Sequence, residues 1–217
     1  MKMHVWDDLK GHLEIPFRKY AYVKDSNGQH VSLYGDRLKR VTQYDKDDPT
    51  LHESDIPPMT RFLVDQYGDS DEASTGHRTM FFDIEVEVTE GFPDVQKAQN
   101  PITSIALYDC TTETYFTYCF DPHKRIEDYT KGDEVVEFYE TEYEMLNKFF
   151  QKYLEIRPTI LSGWNSEFFD IPYLYNRAVR VLGPELANLL SPISQVIYSE
   201  YKKKHTIAGV SSLDYLQ

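Results

Sequence analysis

Cysteine is scarce: Cys110 and Cys119 are the only two in 217 residues. They flank a turn at Thr111–Thr114. In the simplest register Cys110 faces Tyr115 and Cys119 faces Ala106, so the two are not expected to pair. A disulfide-stapled fold is excluded, and reduced thiols in a cytosolic (cytoplasmic) setting are expected. Positive charge is also in short supply, with 23 Lys and Arg against 36 Asp and Glu and a net charge of −13. Such a chain does not coat DNA indiscriminately, because phosphate binding draws on Lys and Arg. A site that meets phosphate through metal ions stays open. No apolar run approaches membrane-spanning length, and Met1–Trp6 holds no apolar signal core, so no membrane partner is expected. The seven His are scattered without metal-ligand spacing, and there is no internal repeat.

What is present is a hydrophobic content of 41% and many aromatics, seventeen Tyr and twelve Phe. That suits one ordinary domain with a smaller appendage, and not a disordered chain. One stretch organises the rest. From Met80 to Val88 the residues alternate. Met80, Phe82, Ile84, Val86 and Val88 share an apolar face that belongs in a core. Phe81, Asp83, Glu85 and Glu87 share the other. Residues two apart on a strand sit roughly 6.5 Å from each other. Asp83 and Glu85 therefore either line a solvated face or converge on divalent cations, which relieve the repulsion between parallel acids. Glu87 is expected to be a solvated or structural acid.

Residues 1 to about 50 look β-rich and polar. Ile15–Val23 and His30–Leu33 flank a hairpin turn at Asp25–Gly28, and an acidic loop comes next at Gln43–Thr50. Asp55–Gly68 carries helix signals, with prolines in the first turn and Gly after the last; Met59, Phe62, Leu63 and Tyr67 lie near one face. The polar stretch Gly68–Thr79 reads as a linker, which places a boundary between residues 1–75 and 76–217. Ile102–Cys110 and Tyr115–Phe120 complete a three-stranded antiparallel meander with the acidic strand. Asp121–Asp133 reads as irregular. Thr141 and Glu144 match a capping box, with Tyr143, Leu146, Phe149, Phe150, Tyr153 and Leu154 at helical spacing behind it. Thr159–Asn165 reads as a buried strand and tight loop. A helix from near Asp170 to Gly183 has Ile171, Leu174, Tyr175, Ala178, Val179 and Leu182 as its stripe, and a short helix spans Pro184–Leu190. Gln195–Tyr198 and His205–Val210 resemble a hairpin with a basic tip, and a last strand starts near Ser211. The order β-β-β-α-β-α predicts an α/β (α+β) fold of ribonuclease-H-like type with a mixed sheet, preceded by a small β-rich region.

A second motif, Trp164–Tyr173, puts Asn165, Phe169 and Asp170 at a strand–helix junction. Asp170 either caps the helix or carries a functional carboxylate. Asp-x-Glu on a strand, followed about eighty residues later by Asn-x-x-x-Phe-Asp, resembles the first two exonuclease motifs of the family B DNA polymerases, within the wider DEDD group of 3′–5′ exonucleases. Asp55–Asp65 is similar to the segment preceding that domain. Gly91–Asp94, Asn100–Ile102, Gly163–Asn165 and Tyr173–Arg177 resemble tailed-phage members in particular. Val210–Tyr215 resembles the strand after the family's exonuclease hairpin. The likeness covers most of residues 51–217.

The resemblance implies two-metal hydrolysis of the 3′-terminal phosphodiester of DNA, releasing nucleoside monophosphates. Two divalent ions, Mg²⁺ or Mn²⁺, about 3.5–4 Å apart clamp the phosphate, one activating water and one stabilising the leaving oxygen. Hard oxygen ligands suit these ions. Asp83 would bridge both, Glu85 would hold the ion that activates water, and Asp170 would serve the second. Phe92 either stacks on a terminal base or anchors its loop. Asn165 is placed to hydrogen-bond near the site, and Phe169 to pack. Lys202, Lys203 and Lys204 either touch DNA backbone or solubilise the hairpin tip. The implied partners are a single-stranded DNA 3′ end and the remainder of the polymerase, its palm, fingers and thumb. The family's third motif, Tyr-x-x-x-Asp, would lie beyond Gln217, and Asp214 and Tyr215 do not match it. The chain is therefore expected to be a fragment or one part of a split polymerase, weakly active or inactive alone. The alternative is a catalytically inert binding or assembly piece; a stand-alone nuclease fits the missing motif poorly.

Overall fold

The computed structural model describes every residue except 8, 90, 124 and 217. The expected end of the homologous segment at Gln217 therefore lies outside the described residues, as do Glu90 in the 89–100 loop and Lys124 in the 121–133 segment. The chain divides into two compact units, Met1–Thr75 and Gly76–Gln217.

In the first unit, β1 (Lys2–Asp7) and β2 (Gly11–Pro16) form an antiparallel hairpin of their own, a division that the β-rich pattern of residues 1 to 50 does not mark. Then β3 (Ala21–Lys24), β4 (His30–Val31) and β5 (Arg37–Val41) make a sheet with β5 in the middle. The expected pairing across Asp25–Gly28 is thus replaced: both flanking strands pair with β5 instead. Helix α1 (Pro58–Tyr67) starts after Pro57 and stops at Gly68, as its punctuation requires. Its expected apolar face is corrected. Phe62 is buried, meeting Phe17 edge-on, but Met59, Leu63 and Tyr67 are exposed. The other buried position is Arg61, whose guanidinium lies over the Tyr20 ring and donates to the Glu53 carboxylate at 2.6 Å and its carbonyl at 2.9 Å. Tyr20 hydrogen-bonds Asp65 at 2.7 Å.

The second unit is built on a seven-stranded mixed sheet. Strands β6 (Thr79–Val86), β7 (Ile102–Asp109) and β8 (Thr114–Phe120) form the expected antiparallel meander. The register differs from the simplest one by two residues, because the turn takes in Cys110: Tyr115 faces Tyr108, and Cys119 faces Ser104. Both cysteines are free. The segment read as irregular holds β9 (Tyr129–Lys131), and after it comes an unforeseen strand, β10 (Glu134–Tyr139), parallel to β8. Every residue of β10 after Glu134 is half-buried, so no alternation advertises it.

Helix α2 (Glu142–Ile156) is capped by the predicted pair: Thr141 Oγ1 accepts the Glu144 N–H at 3.2 Å and donates to its carboxylate at 2.8 Å, a hydroxyl-to-carboxylate bond in the place of the capping box's backbone one. Its buried stripe is rotated slightly from expectation. Met145 and Ile156 join Leu146, Phe149, Phe150 and Tyr153, while Tyr143 and Leu154 face outward. β11 (Ile160–Gly163) lies parallel to β6. Next in the chain are α3 (Asp170–Val181), α4 (Pro184–Ala187) and a 3₁₀ turn (Asn188–Leu190). The hairpin of β12 (Val196–Ser199) and β13 (Lys204–Ile207) leads to β14 (Ser211–Asp214), parallel to β11. The sheet order is β14-β11-β6-β7-β8-β10-β9. Met80, Phe82 and Ile84 of β6 are buried in one core with Phe149 and Phe150 of α2 and Ile171 and Leu174 of α3. Burial of such side chains contributes roughly 1.5–3 kcal/mol each. It fixes which way β6 faces. Val88 lies past the end of β6 and is exposed, so the apolar face ends earlier than its alternation implied.

Candidate active site

With one face of β6 locked in the core, the period of two turns Asp83 and Glu85 to the other, where both are exposed. Glu87 is exposed just past the end of the strand. Beside β6, β11 ends at Gly163. A Cβ there would lie 2.7 Å from the Phe82 carbonyl oxygen and 3.0 Å from Ser166 Cβ, so the absence of a side chain is what lets the 164–169 loop pass so close. Asn165 takes a left-handed conformation, φ 57°, which Asn tolerates better than most residues. Its carbonyl accepts the N–H groups of Phe168 and Phe169, and the Ser166 carbonyl accepts that of Ile171. These bonds wind the chain into α3 and make Asp170 its first residue.

Asp170 is 3% exposed, and its carboxylate accepts the Ile84 N–H at 3.0 Å. Ile84 stands between Asp83 and Glu85. The Asp170 carboxylate thus meets β6 between the two acids of the first motif, near enough to Asp83 for the two charges to act on each other, and Asp170 is the first residue of α3 and not its cap. Burial, reinforced by the charges of Asp83 and Asp214 and opposed by the Ile84 N–H, pushes Asp170 up to about 7. Partial burial also raises Asp83. Carboxylates that resist ionisation beside one another are what a bound cation would relieve, and their hard oxygens fit Mg²⁺ or Mn²⁺. Among the described residues, no three Asp, Glu, His or Cys side chains are drawn together tightly enough to hold an ion.

Next to Glu85 opens a cleft of about 400 Å³ whose walls include Ile84, Val86, Phe92 and Phe169. Phe92 is 79% exposed but packs against Phe169, ring centres 5.2 Å apart, and Phe169 against Tyr173 at 5.6 Å. Helix α3 brackets the loop behind Phe92. Asn176 donates to the Val95 carbonyl at 2.9 Å, Arg177 to those of Ala98 and Gln99 at 3.1 and 2.7 Å, and Tyr173 to that of Asn100 at 2.8 Å. Arg177 is itself held by Glu142, whose carboxylate also accepts the Ile102 N–H. The Tyr173–Arg177 run thus has a structural purpose.

The hairpin lysines line no part of this cleft. Lys203 pairs with Glu200 at 3.0 Å, and Lys202 borders a separate space of about 250 Å³ with Lys204, His205 and Ser212. Lys204 turns inward to Glu167, which also accepts the Ser212 hydroxyl. The sequence motifs assign nothing to Glu167 and only a strand position to Asp214. Asp214 flanks Asp170 electrostatically, and the one available signal was that both acids lie beside the second motif or the last strand.

Residues 64–217 match the family model for the DNA polymerase family B exonuclease domain. The chain is 33% identical over 168 residues to the DNA-directed DNA polymerase of Escherichia phage RB69, and 33% over 162 residues to that of Enterobacteria phage T4. Those alignments take in 64% and 61% of this chain and 18% of each relative. The DNA polymerase 1 of Sulfurisphaera ohwakuensis is 30% identical over 60% of the chain and 13% of its own length. The chain thus spans about a fifth of the length of the phage relatives it matches. It belongs to the family B DNA polymerases, whose exonuclease domain it carries.

Proposed function

We propose that this chain supplies the proofreading 3′–5′ exonuclease of a DNA polymerase, removing the terminal nucleotide from a single-stranded DNA 3′ end. The observation that carries this reading is the Asp170 carboxylate bonded to the amide between Asp83 and Glu85. Two divalent ions, when bound, would activate water and stabilise the departing 3′ oxygen. Asp83 and Glu85 offer oxygens from a strand whose other face is immobilised in the core, and both would help hold the ions. Asp170 offers a third carboxylate, its position fixed by the Ile84 N–H and its proton held until a cation competes for it. The Phe92–Phe169 pair forms an apolar wall beside Glu85 against which the terminal base stacks, leaving the scissile phosphate toward the acids. Asn165 acts through its backbone turn, and Lys202 and Lys203 contact the DNA backbone from the hairpin tip. The rest of a polymerase would deliver the frayed primer end.

A second reading, a binding or assembly piece that does not cut, draws on the lack of a tight ligand cluster among the described residues. A Mn²⁺ titration separates the two. Saturable binding lost in Asp83→Ala, together with release of mononucleotides from a 3′-labelled oligonucleotide by the full polymerase, supports the exonuclease. No ion bound at millimolar Mn²⁺ supports the assembly piece.

A further inference from the structure

Of the large side chains in the loop 164–169 that delivers Asp170, Phe169 packs against the core, but the other two stand outward. Trp164 is 66% exposed and Phe168 50%. The loop is held from outside by Asp214, the last residue of β14. One Asp214 oxygen accepts the Asn165 N–H at 2.9 Å and the Leu216 N–H at 2.9 Å; the other accepts the Glu167 N–H at 2.9 Å. Gly163 is register partner to Asp214, and the Tyr215 N–H returns to the Gly163 carbonyl at 3.1 Å, so the acid sits opposite the point where the loop departs. A reciprocal brace runs the other way: the buried Glu167 carboxylate takes the Ser212 hydroxyl and the Lys204 ammonium.

We propose that Asp214 is a positioning residue for Asp170. It binds the backbone of the loop, sets the loop's height over β6, and so determines where the Asp170 carboxylate meets the Ile84 amide. Its consequence for nuclease activity rests on the function proposed above; the positioning itself does not. Both Asp214 oxygens are engaged by backbone N–H groups, two on one and one on the other, which is the arrangement of a brace on the loop. Hydrogen bonds to a charged acceptor are strong ones, and three of them meet on this carboxylate.

The test is amide hydrogen exchange at Ile84, read by NMR in the full chain without metal. In Asp214→Asn the amide NH₂ faces the Glu167 N–H, donor against donor. Exchange at Ile84 should rise roughly tenfold relative to Ile105 and Leu107 on the neighbouring strand. Tyr153→Phe, which removes a distant core hydrogen bond to the Leu190 carbonyl, should leave that ratio unchanged. In parallel the Mn²⁺ concentration at half-saturation should rise about tenfold while binding stays saturable. An unchanged Ile84 ratio in Asp214→Asn overturns the proposal. So does loss of all Mn²⁺ binding with Ile84 still protected, which would make Asp214 a ligand. If the wild type binds no Mn²⁺, the functional reading fails while the Ile84 ratio still decides the positioning. Should the variant not fold, wild-type exchange under increasing denaturant serves instead. Asn165, Glu167 and Ile84 should open as one unit, and separate opening of Ile84 refutes the link.

Discussion

The Ile84 amide and the Asp170 carboxylate, 86 residues apart in sequence, meet at 3.0 Å. That bond ties the acid of the second motif to the strand of the first. It also lets a carboxylate that is 3% exposed keep an ordered place with a backbone amide as its partner.

The bond sits in a balance that pH shifts. Asp170 is raised to about 7 from an ordinary 3.8, so between these values the folded state holds a proton that the unfolded state has lost. Stability from this group is full below about pH 4 and declines as pH rises to about 7, by at most roughly 4 kcal/mol. Urea melts of metal-free protein should show that slope, and Asp170→Asn should flatten it. Because ions require the charged carboxylate, Mn²⁺ should bind more weakly at about pH 6 than at about pH 8 and release protons on binding at the lower value, which calorimetry in buffers of different ionisation enthalpy measures.

Gly163→Ala tests the close approach. Its new methyl would sit 2.7 Å from a backbone oxygen, which has no flexible end to yield. A loss of about 1–3 kcal/mol in denaturant melts is expected, with faster exchange at Ile84.

Arg177→Leu should cost about 3–5 kcal/mol, since it strands the buried Glu142 carboxylate and releases the Ala98 and Gln99 carbonyls. Glu142→Gln with Arg177→Leu should recover part of that loss, and thermal melts of the single and double variants decide it.

Phe92→Ala should weaken binding of a single-stranded oligonucleotide by about 1–3 kcal/mol while leaving Mn²⁺ affinity unchanged. Fluorescence anisotropy with and without the substitution reads the first, and the metal titration the second. Equal DNA affinity would make Phe92 a loop anchor and nothing more.

The parts of the fold that were legible in sequence are those governed by local rules. The alternation of Met80–Ile84 reports burial against one core, and Thr141 with Glu144 reports a cap. Less legible were features that depend on partners. β10 has no alternating pattern because all but its first residue are half-buried, and the β7–β8 register turned on where the turn closed. That Asp170 meets the strand of Asp83 and Glu85 was implied by motif order, whereas Asp214 needs the parallel pairing of β14 with β11 to bring it to a loop 49 residues away. Lys204 looked like one of three tip lysines, but its place opposite Glu167 comes from how the hairpin folds back.

If Asp83, Glu85 and Asp170 form one site for hard cations, Mn²⁺ at a pH above the Asp170 value of about 7 should broaden the backbone amides around them. Saturable broadening centred on Ile84 and the first turn of α3, abolished by Asp83→Ala and by Asp170→Asn, is the predicted result. Broadening spread evenly over surface acids and unchanged in both variants would contradict it.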